Sequence, residues 1–115
     1  MKPRHLQKGE AAETLALRWL ERQGLKLRQR NYRCKAGEID LVMEDGEELV
    51  FIEVRYRSHP GFGGAVESVT PAKQQKLLRT AGHYLQQLRR TPACRFDIIG
   101  IDREQRIQWI RNALQ

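Results

Sequence analysis

The stretch that decides the fold is Gly37-Glu38-Ile39-Asp40-Leu41-Val42-Met43-Glu44-Asp45-Gly46-Glu47-Glu48-Leu49-Val50-Phe51-Ile52-Glu53-Val54-Arg55-Tyr56-Arg57. Its two apolar runs, Gly37 to Met43 and Leu49 to Arg57, read as strands, and Asp45-Gly46 between them is a strong two-residue hairpin signal. With Asp45 and Gly46 as the tip, Glu44 pairs with Glu47, Asp40 faces Phe51 and Glu38 faces Glu53. Side chains alternate along a strand, so Glu38, Asp40, Glu53 and Arg55 emerge on one face. Asp40 and Glu53 become diagonal neighbours, with Cα atoms ~7–8 Å apart, a spacing at which two carboxylates can share a cation. Glu53 lies in a run that is apolar on both faces, as a central strand is. A charge there is costly unless it is paired or bound to metal. The plainer alternatives are a solvated Asp40 and an ion pair from Glu53 to Arg55 or Arg57. Together in one hairpin, the two acids favour a metal site.

Outward from the hairpin, residues 6–23 repeat Ala12, Leu15, Ala16, Trp19 and Leu20 at helical spacing, and Gly24 stops that helix. Leu25 to Arg33 reads as a first strand. Residues 58–69 are a glycine-rich loop, long for so small a chain and so expected to carry function. Thr70-Pro71 supplies a cap and a first helical position for a second helix, with Leu77, Leu78, Ala81, Tyr84, Leu85 and Leu88 on one face. Arg95 to Ile101 and Arg106 to Ile110 read as two closing strands. The order αβββαββ predicts an α/β fold in which helices cover a mixed sheet, built as a single domain over residues 1–115.

The composition agrees. The chain has 115 residues, 40% of them hydrophobic and 30% charged, with a mean hydropathy of -0.66, as an ordinary globular protein has. No apolar run approaches the ~18 residues of a membrane span, and the first residues contain no signal-peptide apolar segment. Cys34 and Cys94 form no CxxC, and three scattered histidines make no metal motif. Reduced thiols in the cytoplasm are the expectation.

The formal net charge is +7, which suggests a polyanionic partner. Its distribution says more. Residues 1–35 carry +7, residues 36–70 carry -6 and residues 71–115 carry +6. Carboxylates repel phosphate, so a protein that only grips nucleic acid has no use for an acidic centre. One that sets a divalent cation between carboxylates and a phosphate needs both. The first helix offers a further acid: Glu13 lies at the edge of the apolar face, whereas Glu10 points toward water.

At these residues the chain resembles a known family. Gly37-Glu38-Ile39-Asp40-Leu41, then Leu49 to Arg57, then Arg95-Phe96-Asp97, together with Gly9, Glu13 and Ala16 in the first helix and Lys73-Gln74 in the second, look like the bacterial YraN-type family of uncharacterised, endonuclease-like proteins. That family is placed by similarity in the PD-(D/E)XK nuclease superfamily, close to archaeal Holliday-junction resolvases. The resemblance implies a restriction-endonuclease-like core with a Mg²⁺ (or Mn²⁺) site on the hairpin. It matches Asp40 to the first acid of the motif, Glu53 to the second and Glu13 to the acid of the leading helix. Arg55 stands where the superfamily usually has lysine; arginine can stabilise developing charge but does not deprotonate.

The function expected is a metal-dependent endonuclease acting on branched or structured DNA. Asp40, Glu53, the Val54 carbonyl and Glu13 would hold the metal, with Arg55 beside the phosphate. Arg28, Arg30, Arg57, Lys73, Lys76 and Arg79 would track the backbone. Resolvase-like relatives imply a homodimer. The alternatives are a catalytically inactive nucleic-acid-binding module on the same fold, and a scaffold whose acidic centre and basic flanks pair between copies.

Overall fold

A computed structural model describes residues 4–57 and 68–114, with side chains from Gly9 onward and without that of Arg57. The glycine-rich loop expected to carry function lies, but for its last two residues, outside the described residues. The elements are α1 (Arg4–Arg22), β1 (Lys26–Cys34), β2 (Gly37–Asp45), β3 (Glu48–Arg57), α2 (Pro71–Gln86), β4 (Cys94–Asp102) and β5 (Ile107–Ile110). This is the expected αβββαββ order, compatible with a restriction-endonuclease-like arrangement. The strands form one sheet in the order β1-β2-β3-β4-β5. β3 and β4 pair in parallel across the α2 crossover, and the other neighbours are antiparallel. β3 is thus the central strand.

α1 ends where Gly24 takes a left-handed conformation, φ 102°. The Gly24 N–H donates to Glu21 and the Leu25 N–H to Leu20, the two bonds of a Schellman cap. α2 begins on Thr70, whose hydroxyl accepts from the Lys73 N–H. Each helix covers one face of the sheet. Ala12, Ala16, Leu17 and Leu20 pack with Leu41, Met43, Val50 and Ile52. Leu77, Ala81 and Tyr84 pack with Val42, Leu49, Phe51 and Phe96 on the other side. Along β3 the odd positions therefore face α2 and the even ones α1. Leu78, expected on the packed face of α2, is 46% exposed, and Thr80 is buried instead. The buried stripe runs through 77, 80, 81 and 84, and position 78 lies about 100° off it. Among the described residues, no helix is long and apolar enough to cross a membrane.

The central hairpin corrects the expected register. Asp45 pairs with Glu48 and Leu41 with Ile52, so Gly46-Glu47 is the tip rather than Asp45-Gly46. Gly46 alone of those two has positive φ, 62°, the sign pattern of a II′ turn with glycine first. Each partner moves by two residues, which keeps side-chain parity. Continued by one step, the register sets Asp40 opposite Glu53 rather than diagonal to it.

A candidate metal centre on the central hairpin

The site forms where β2 leaves β3. Their ladder ends at Leu41 and Ile52, although β2 begins at Gly37 and β3 runs on to Arg57. The cause lies in β1. Asn31 takes a left-handed conformation, φ 56°, and Asn31 and Asp40 are skipped in the pairing between Arg30–Leu41 and Tyr32–Ile39. Strict alternation would put Ile39 on the α1 face with Leu41, yet Ile39 packs in the α2 cluster. The strand has rolled over at Asp40, and a cleft opens beside it. That cleft, about 520 Å³, is lined by Glu38, Asp40, Glu53, Arg55, Lys73 and Lys76 among others.

Four carboxylates meet here. Oxygens of Glu13, Glu38 and Asp40 lie within 4.8 Å of one another. Glu53, 6% exposed, is in hydrogen-bonding contact with Asp40. Three of the four have a cation of their own. Arg30 Nε lies 3.3 Å from Glu13 and Arg33 Nε 3.1 Å from Glu38. Glu53 is 2.8 Å from Lys73 Nζ and 3.3 Å from Arg55 Nη1. Asp40 has none among the described residues. It accepts from the Val54 N–H at 2.8 Å, and burial, then the charge of Glu53, pushes its carboxyl up to about 8. Burial also raises Glu13, against the pull of Arg30.

The sequence-predicted residues therefore divide. Asp40, Glu53, Arg55 and Glu13 converge, and Lys73 and Lys76 line the same cleft. Val54 joins through its N–H. Lys73 is held by Glu53, in the first turn of α2, where the Thr70 cap fixes its position. Arg79 lies on the next turns of α2. Arg30 is committed to α1, donating to Glu13, to the Thr14 hydroxyl and to the Glu10 carbonyl. Arg28 pairs with Glu44 near the hairpin tip, away from the cleft. The side chain of Arg57 lies outside the described residues.

Two participants lacked an assigned role in the sequence reading. Glu38 was placed on the acidic face, but the ion pair of Arg33 and the approach to Asp40 come only with the fold. Asn31 hydrogen-bonds Glu13. An asparagine within a strand pattern is the signal for it, because asparagine tolerates the left-handed region.

The donor set fits a hard divalent cation. Mg²⁺, Mn²⁺ and Ca²⁺ take carboxylate oxygens at ~2.0–2.6 Å, so ligands of one ion lie up to roughly 4–5 Å apart. That matches the Glu13, Glu38 and Asp40 oxygens.

Relatives agree with the chain over nearly its whole length. A UPF0102 protein of Nitrosococcus oceani is 53% identical over 121 residues, covering 100% of this chain and 98% of its own. One of Alkalilimnicola ehrlichii is 54% identical over 111 residues, covering 95% and 87%. UPF0102 protein HEAR0176 of Herminiimonas arsenicoxydans is 52% identical over 107 residues, covering 93% and 86%. Residues 12–101 match the uncharacterised protein family UPF0102, from the middle of α1 to the end of β4. The acidic centre lies inside that span, and the chain belongs to the UPF0102 family.

Proposed function

We propose that this protein is a metal-dependent phosphodiesterase of the endonuclease type, acting on DNA as a PD-(D/E)XK-like nuclease. The observation that carries the reading is Asp40, a half-buried carboxylate with no cationic partner among the described residues and three other acids around it. Asp40, Glu38 and Glu13 would hold Mg²⁺ or Mn²⁺, with Glu53 at the edge of the set. The cation, when bound, supplies polarisation of a phosphodiester and acidification of water. Arg55 faces the cleft from β3 and counters charge developing on the phosphate; it moves no proton. Ser68 accepts from Arg55 Nε at 3.0 Å and its carbonyl from Nη2 at 3.2 Å, so the guanidinium is oriented before substrate arrives. Lys76 and Arg79 pair with no carboxylate among the described residues and extend a basic track from the cleft along α2. We place the activity in the cytoplasm, where Cys34 and Cys94 stay free thiols. A homodimer is the assembly that would cut two strands of a junction.

A second reading has its own support. Glu53 is already occupied by Lys73 and Arg55, as in a nuclease frame that keeps nucleic-acid binding without cutting.

The test is cleavage of end-labelled junction, flap, duplex and single-stranded DNA in Mg²⁺ or Mn²⁺. Cutting that disappears in EDTA and in Asp40→Asn supports the nuclease. Binding without cutting, unchanged by Asp40→Asn, leaves the binding module.

A further inference from the structure

A second concavity lies against the first. Arg55 and Tyr56 are consecutive on β3 and point to opposite faces, Arg55 toward the acidic cleft and Tyr56 toward α1. Val50, Ile52 and Val54 on that face belong to the core or pack against it, yet Tyr56 is 41% exposed. Ala11 and Leu15 of α1 line, with Tyr56 and its β4 partner Ile101, a space at this end of the sheet. The space is a groove of about 860 Å³, within the ~300–1,000 Å³ range of ligand sites. Ile101 and Leu15 give it an apolar lining, and the exposed Tyr56 lines it as well. Arg18 and Gln105 supply polar groups. Arg18 is loosely held, 3.8 Å from Glu21 with its side chain 68% exposed. Gln105 sits in a left-handed turn, φ 62°. The wall between groove and cleft is the Arg30–Glu13 pair: Arg30 lines the groove, and Glu13 is one of the acids around Asp40.

We propose that this groove receives one unpaired nucleotide of a DNA strand whose neighbouring phosphate lies at the acidic centre, its base stacked on Tyr56. The inference rests on the nucleic-acid reading above and deepens it to a substrate class, DNA with a displaced or single-stranded nucleotide beside the reacting phosphate. An exposed ring with an apolar lining is what a base face requires, and stacking is tolerant of base identity. Arg18, which lines the groove, can meet a further backbone phosphate of the strand, and the Gln105 amide can donate to and accept from a base edge. A paired duplex cannot enter, because its bases are already stacked.

The experiment measures binding of the full chain to a fluorescein-labelled dT10 strand and to a duplex of equal length, in Ca²⁺ and in EDTA. The variants are Tyr56→Ala, Tyr56→Phe and Ala11→Leu, all at exposed positions. The expected result is a loss of about 5- to 150-fold in single-strand affinity for Tyr56→Ala, near-wild-type affinity for Tyr56→Phe, and a loss in Ala11→Leu, which fills the groove. Duplex affinity stays within about twofold, and strands carrying 5-iododeoxyuridine photo-crosslink to Tyr56. Wild-type single-strand affinity in Tyr56→Ala, crosslinks elsewhere, or no single-strand binding by the wild type overturns the proposal. Metal-dependent cutting that persists alongside such a result leaves the nuclease reading intact. A Tyr56-dependent single-strand affinity without cutting supports the groove and removes the nuclease.

Discussion

Asp40 Oδ2 accepts a hydrogen bond from the Val54 backbone N–H at 2.8 Å. The ladder of β2 and β3 stops at Leu41 and Ile52, so the side chain takes over where the neighbouring backbone has departed. One residue thereby serves both the fold and the site. It closes the end of the sheet's central pairing, and it holds a carboxylate at the head of the cleft that the departure opens. The satisfied N–H explains how a central strand tolerates the gap. Burial, then the charge of Glu53, raises the Asp40 carboxyl to about 8.

Asp40→Asn is expected to stabilise the metal-free protein at pH 8 and to do so less at pH 5. The folded chain keeps the Asp40 proton to about pH 8, whereas an unfolded chain releases it near pH 4. Stability from this group is thus fully present below about pH 4 and is lost as pH rises toward 8. Asparagine keeps an acceptor for Val54 without the charge. Thermal melts in EDTA at the two pH values check this; a midpoint that falls equally at both would contradict it. The same variant is expected to lose Mn²⁺ binding.

Glu38→Gln is expected to weaken Mn²⁺ binding by about tenfold or more, because it takes one negative oxygen from the trio. Glu44→Gln, at the other end of β2 and paired with Arg28, serves as the control and is expected to leave binding unchanged. Calorimetric titration with Mn²⁺ separates the two. Equal affinities in both variants would remove Glu38 from the ligand set.

Much of this was readable from residues. The Asp45-Gly46 signal located the hairpin, and the parity of Asp40, Glu53 and Arg55 survived a two-residue error in the register, because a shift of two preserves faces. Glu38 lines the cleft although the roll at Asp40 breaks its alternation. Helical phase separated Glu13 from Glu10 correctly. What sequence could not show was tertiary. The Ile39 roll depends on a left-handed Asn31 in the neighbouring strand, and no period-2 pattern encodes that. Lys73 reaches Glu53 only because α2 starts over the end of β3. Arg30, read as free basic surface, is drawn into α1 by three acceptors.

Gly37→Ala is expected to cost about 1–3 kcal/mol and to disturb the cleft. Gly37 has φ 155°, and a Cβ there would lie 3.0 Å from Thr80 Oγ1. Thr80 is buried and donates to the Lys76 carbonyl, so it has little room to move. The strain falls between the start of β2 and the α2 turn that carries Lys76. Urea unfolding gives the cost, and Mn²⁺ titration should show weaker binding, since Glu38 follows Gly37 directly. Unchanged stability would mean that the β1–β2 turn adapts without α2.

Asp97 tests the opposite end of the sheet. It is 1% exposed and accepts from Arg95 Nε, Trp109 Nε1 and the Asn112 N–H at 2.9–3.0 Å. Arg95 also reaches Glu48 and Asp45 beside the hairpin tip. One buried carboxylate thus ties β4 to β5 and, through Arg95, to the β2–β3 turn. Asp97→Ala leaves the Trp109 and Asn112 donors unpaired, while Arg95 keeps its two exposed partners. The expected cost is about 3 kcal/mol. It should appear first as faster amide exchange across Ile107–Ile110 and at Ala113, whose N–H bonds the Phe96 carbonyl at 2.7 Å. Mn²⁺ affinity of the folded variant should match wild type, since Asp97 shares no partner with the acids around Asp40. A large loss of metal binding at unchanged stability would instead make Asp97 part of the site.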